Sequence, residues 1–306
     1  MNSKPSFVRS SALPSALPFM LVAAIGCAAT ALMAAPPEAV PPTQVPPANR
    51  DVVPTTPPAD TKQGETAPAD NTAAKKEPTG AAVRYLEIFE RMTPAMLKAA
   101  RFVKFDATGY RVLEYPKTQT RVEPLPIENI NANLERASDV IAQLIATSSV
   151  ELCDFALVPD PSGKPTEFEA KLLSNMRSAA TLLSADAARL WSEGETDPAV
   201  EHLAAIFRMS RHACGVRTPA LAFVSASMIT TGDVTTRVMI NGSEDHKMSK
   251  AQRETLLAEL NTFDEKDPFG FLPAMDRMKG EDRVSAERYS REATQRFLKL
   301  KELLGS

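Results

Sequence analysis

The chain has 306 residues, 43% of them hydrophobic and 24% charged, a composition suited to a globular body. Its formal net charge of −3 argues against nucleic acid as a partner, because neutralising phosphates needs a basic face. Aromatic residues are sparse at 6%, and Trp191 is the one tryptophan.

In chain order, the first element reads as an export signal. Lys4 and Arg9 supply a positive start, and Phe19 to Ala35 carries no charge. Three fates compete for this leader, residues 1–35. Ala29 and Ala31 supply the small residues that a signal peptidase needs. Gly26 before Cys27 in "AAIGC" resembles a lipoprotein signal, which makes Cys27 a candidate lipidation site. The apolar run of about 17 residues also meets the lower limit for a spanning helix, so an uncleaved anchor is the third fate. Each fate implies an exported protein of the periplasm or cell envelope, tethered through its N-terminus if the leader is lipidated or retained.

From Pro36 to Gly80 the sequence changes character, with repeated Pro-Pro pairs and no aromatic residue. Proline removes backbone donors and fixes φ, and without large apolar groups there is nothing to bury, so residues 36–80 are expected to be a disordered tether. Fully extended in polyproline II, this segment would reach about 140 Å.

Residues 81–306 follow the period of helices, and the expected class is all-α, about seven helices in antiparallel pairs. Two short β-rich runs around Asp106 to Gly109 in "FVKFDATGYRVLEY" predict one hairpin near 102–115, which would have to pack on the helices to persist. Ile127, Ile130, Leu134, Ala137, Ile141, Leu144 and Ile145 step by three and four, predicting one long helix over 127–148. Phe168, Leu172, Met176, Ala179, Leu183, Ala187 and Leu190 stripe a second, opened by a capping box of Thr166 and Glu169. A capping residue before proline marks three further starts, at Thr93-Pro94, Asp197-Pro198 and Thr218-Pro219. Gly215 suits the end of the 197–214 helix, Ser249 and Gln252 form another capping box, and Ala286, Tyr289, Ala293, Phe297, Leu300 and Leu304 line the last helix.

Residues 182–214 resemble a tetratricopeptide hairpin through Ala187, Leu190, Gly194, Ala199 and Leu203, where small residues let two helices approach closely. The terminal proline of that repeat is missing and no second copy follows, so a plain helical hairpin is the simpler reading. Taken together, "AAVRYLEIFERM" after a Pro-rich leader, then "ELCDFAL", then this hairpin, resemble uncharacterised exported all-helical proteins of bacterial type with a Cys-Asp-aromatic element. The resemblance implies no activity and carries over no catalytic residue.

With Cys27 removed or lipidated, Cys153 and Cys214 remain as an even pair in an oxidising compartment. They are a candidate disulfide; two separate buried thiols are the competing reading. Glu151 and Asp154 beside Cys153 would raise its pKa, which argues against a nucleophile. His202 and His212 are ten residues apart on one helix, the wrong spacing to share a metal, and His212 falls with Glu201 and Arg208 on a face expected to be solvated. His246, in a loop, has the same expectation. No nucleotide-binding, hydrolase-elbow or metalloprotease motif occurs, so no cofactor or metal is expected and the catalytic residues are unknown. Glu167, Glu169, Glu193, Glu195 and Asp197 sit at helix starts and turns, where they suit the helix dipole. The leading expectation is a non-enzymatic scaffold or interaction module binding protein or peptide. A carboxylate-dependent hydrolase acting on an envelope or secreted polymer is the alternative, to be told apart by whether acids converge in a deep pocket.

Overall fold

A computed structural model describes residues 77–106, 109–112, 127–157, 165–215, 218–242, 247–276 and 278–306. The leader, Cys27, nearly all of the Pro-rich segment and His246 lie outside the described residues. Among those described, helix dominates. The order is β1 (Thr79–Gly80), α1 (Ala81–Arg91), α2 (Pro94–Arg101), β2 (Val103–Asp106), β3 (Gly109–Val112), α3 (Ile127–Arg136), α4 (Ser138–Ser148) and β4 (Cys153–Asp154). It continues with α5 (Glu167–Ser192), α6 (Thr196–Cys214), α7 (Pro219–Ile240), α8 (Lys250–Leu260), α9 (Phe271–Met275) and α10 (Gly280–Gly305).

Among the described residues ten helices therefore replace the expected seven or so. One reason is that 127–148 is not continuous. The Ala137 amide is shared between the carbonyls of Asn133 and Leu134 at 3.1 and 3.0 Å, which tightens the last turn of α3, and α4 restarts at once with Asp139 in its first turn. Asp139 there accepts from Arg91 of α1. The expected hairpin is present, with Val103 opposite Val112 and Asp106 opposite Gly109, and it lies on α5 and α7. A second, two-residue ribbon pairs Thr79 with Asp154 and Gly80 with Cys153.

Helix starts follow local chemistry where the chain allows it. Thr93, Thr166, Thr218 and Ser249 each accept from the backbone amide three residues on, and Ser249 with Gln252 completes a capping box. Thr166 and Glu169 form only half of theirs, since the Glu169 carboxylate instead accepts the Thr218 hydroxyl at 2.6 Å. Asp197 is not a cap: α6 begins one residue earlier, and Asp197 accepts from the Gln252 side chain at 2.7 Å. Gly215 does end α6, with ordinary right-handed backbone (φ −62°).

The core is organised around α6. It packs against α4, α5, α7 and α8, and six successive residues from His202 to Phe207 are buried. Six residues exceed the 3.6 of one turn, so the helix is covered on all sides there. Close approach needs small residues: at Gly232 of α7, an added Cβ would stand 2.5 Å from Cε1 of Phe207. Alanine is the better helix former by about 1 kcal/mol, yet Gly232→Ala should destabilise the protein by roughly 1–3 kcal/mol, because the fully buried Phe207 ring has to shift. Urea unfolding followed by circular dichroism measures this directly, and a stabilised variant would show that the contact is slack.

Candidate functional site

Because α6 is covered, its polar residues need partners inside the fold, and three clusters result. In the first, His202 lies between two acceptors. Its Nδ1 is 2.6 Å from the Pro198 carbonyl and its Nε2 is 3.0 Å from Oδ2 of Asp186 on α5. Both partners are acceptors, so each ring nitrogen faces a group that can take a hydrogen bond from it. Arg189 binds the other oxygen of Asp186 through Nε and a terminal nitrogen, both at 2.8 Å, and reaches Glu193 at 2.8 Å. His202 and Asp186 are 6% and 5% exposed. With both nitrogens facing protein acceptors, His202 is turned inward and is not presented to a metal or a substrate. Tyr110 of the hairpin sits beside this cluster and donates to Asn131 at 2.9 Å; burial pushes its phenol up to about 12.

The second cluster absorbs the Cys-Asp-aromatic element. Phe155 stacks on Tyr85, which also stacks on Phe89, and the Tyr85 hydroxyl lies 3.1 Å from Nδ1 of His212. His212 is thus buried at 4% exposure, not solvated as its helix face suggested. Its surroundings hold it neutral. Burial, then the Arg211 charge, push its pKa down to about 4, with the Val150 carbonyl acting weakly in the other direction. Burial raises the Tyr85 phenol well above its ordinary value. Asp154 turns its carboxylate onto the Ala156 amide at 2.8 Å, which steadies Ala156 at a positive φ of 53°.

Cys153 and Cys214 are two separate thiols in the structure, both partly buried. Burial, and next to it Asp154, push Cys153 up to about 12, so the direction expected from its neighbours holds while burial is the larger cause and Glu151 takes no part. Cys214 donates to the Arg211 carbonyl at 3.0 Å and is pushed up to about 11, again chiefly by burial. Neither thiol is a thiolate at neutral pH, and with His212 neutral no thiolate–imidazolium pair arises.

In the third cluster Arg208, whose side chain is 12% exposed, binds Glu259 of α8 through Nε at 2.8 Å, Glu201 at 2.8 Å and the Ser149 hydroxyl at 3.0 Å. The acids named from sequence are dispersed among such roles, Glu169 on Thr218, Glu193 on Arg189 and Asp197 on Gln252, with Glu167 and Glu195 at helix starts. Among the described residues no group of three or more His, Cys, Asp or Glu is placed to hold a metal. The surface does carry an open groove of about 500 Å³ between α9 and α10, with Leu272 and Met275 in its apolar lining and Lys266, Arg283, Arg291, Asp276 and Glu287 in its charged lining. Sequence reasoning missed Asp186, Tyr85 and this groove. The one available signal was an aspartate set in the apolar run "LLSADAARLW".

Asp186 is the shared partner of Arg189 and His202, so Asp186→Ala should lower stability by about 3–5 kcal/mol, because the Arg189 charge loses its buried carboxylate. Removing Glu254, whose partner Lys250 is exposed at 3.7 Å, should change little. Parallel urea titrations of the two variants check the contrast, and equal losses would refute it. No protein-family model, curated protein or solved structure matches the chain.

Proposed function

We propose that the chain is an exported, non-enzymatic helical scaffold or interaction module of the cell envelope, held near a membrane or released according to the fate of its leader. The observation that carries this reading is the commitment of the interior chemistry. His202 has both nitrogens engaged, His212 is held neutral, both thiols are pushed far above neutral pH, and the buried acids Glu169 and Asp186 accept from neighbouring helices. The α9/α10 groove is part apolar and carries both signs of charge, with Glu287 bound to Arg283 at 3.0 Å, a mixed surface that suits a protein or peptide segment. No described helix is long and apolar enough to cross a membrane, so attachment would fall to residues 1–35.

Two measurements test the reading. Incubation of the mature protein with cell-wall and secreted polymers should give no turnover that depends on these residues. Hydrolysis abolished by Glu169→Gln or Asp186→Asn in a protein that still folds would establish the hydrolase instead. Intact-mass measurement on membrane and soluble fractions should find the chain in the envelope, cut after Ala31, lipidated at Cys27, or retained whole in the membrane. A full-length chain confined to the cytosol would refute export. The same spectra, after alkylation of the denatured protein, count whether Cys153 and Cys214 are thiols or bonded.

A further inference from the structure

The Tyr85–His212 contact joins the first helix of the body to its central helix, and its proton accounting is unusual. In the tautomer that carries the ring hydrogen on Nε2 the phenol donates to Nδ1, and Nε2, with the Val150 carbonyl near the ring, has no partner within hydrogen-bond geometry. Adding a proton at Nδ1 would turn that nitrogen into a donor. The Tyr85 oxygen would then have to accept, and its own hydrogen would be left without an acceptor in a site where Tyr85 is 0% exposed. Of the groups facing the pair, only the Val150 carbonyl favours a charged ring, and weakly. α1 presents the phenol, β4 the neutral Cys153 thiol, the turn after α4 the Val150 carbonyl, and α6 itself Arg208 and Arg211. The nearest carboxylates are already held, Asp154 by the Ala156 amide and Glu201 and Glu259 by Arg208.

We propose that this contact is an acid-released latch: protonation of His212 detaches the β1–α1 strap from α6 while the core of α5, α6 and α7 stays folded. The strap is well placed to move as a unit. Its remaining anchors are the two-residue ribbon to β4, the Ala81 amide on the Leu152 carbonyl at 2.8 Å, the Tyr85–Phe155 stack, Arg91 on Asp139 and Gln143 of α4, and packing on α4 and α5. In the chain it follows directly on the Pro-rich segment.

The sign follows from linkage. In the closed state His212 resists protonation down to about pH 4, whereas once α1 lifts away the ring returns to its ordinary value near 6.5. The latch is therefore intact above pH 6.5, weakens as pH falls toward 4, and weakens no further below that. Between pH 7.5 and 4.5 the opening equilibrium should rise roughly 70-fold.

Hydrogen-exchange mass spectrometry on the full chain, corrected for the intrinsic pH dependence of exchange, reads this by segment. Amides of 81–91 and 150–155 should lose protection by that factor, while those of 199–213 keep theirs. His212→Asn, which retains an acceptor near the Nδ1 position and cannot take a proton there, should flatten the response of 81–91. Loss of protection in strap and core together, or an unchanged slope in His212→Asn, would overturn the latch. Should that variant not fold, the assigned imidazole resonance of wild-type His212 decides: titration in step with strap opening supports the proposal, and titration near pH 6.5 with 81–91 still protected refutes it.

Discussion

A helix covered on all sides cannot leave its polar side chains to water, and that constraint on α6 shapes the rest of the molecule. A buried polar group without a partner costs about 1–3 kcal/mol, so each one on this helix recruits a neighbour. His202 recruits Asp186 from α5, Ser210 shares hydrogen bonds of 2.8 and 3.0 Å with Ser225 of α7, Arg208 takes Glu259 from α8, and His212 takes Tyr85 from α1. The apolar residues between them supply the free energy of burial but little direction. The polar pairs supply the direction, since each fixes the rotation and height of one surrounding helix against α6.

The aromatic residues divide the remaining work. They are few, and apart from Phe207, which lies against Gly232 within the hub, the ring-to-ring contacts gather at its two margins. Tyr85, Phe89 and Phe155 stack where α1 meets β4. Phe223, Phe269, Phe271, Tyr289 and Phe297 form a second set of edge and tilted contacts that joins α9 and α10 to α7. Between these margins the helices meet through alanine and glycine, as at Ala204, Ala205 and Gly232. Small residues bring the central axes close, and large flat ones then fill the wider gaps where the outer helices lie across the bundle.

Local signals were legible and distant ones were not. Thr93, Thr166, Thr218 and Ser249 open helices as their sequences indicate, because a cap is decided within four residues. The hairpin and the buried stripe of α10 were legible for the same reason. Asp197 and Glu169 broke their local patterns because a side chain about fifty residues away made a better partner for each. The largest error, His212, came from reading α6 as a helix with one wet face. Periodicity assumes a single buried stripe, and a helix with four helical neighbours violates that assumption. The partner that corrects it, Tyr85, is 127 residues away in the chain.

His202 and His212 show how little the residue itself decides. They lie on one helix, both are almost fully buried, and each meets one side chain from a neighbouring helix. α5 presents a carboxylate already shared with Arg189, which would answer a charge on the His202 ring. α1 presents a phenol, which can answer a charged His212 ring only through its oxygen, while burial and Arg211 oppose the charge. The two rings thus differ in how well their surroundings answer a charge, through one difference in the facing element, a carboxylate against a hydroxyl. That difference also sets mechanical character: the α5–α6 contact is one that a ring proton would strengthen, and the α1–α6 contact is a neutral bond that protonation reverses. The same hub helix accordingly carries one contact suited to permanence and one suited to release.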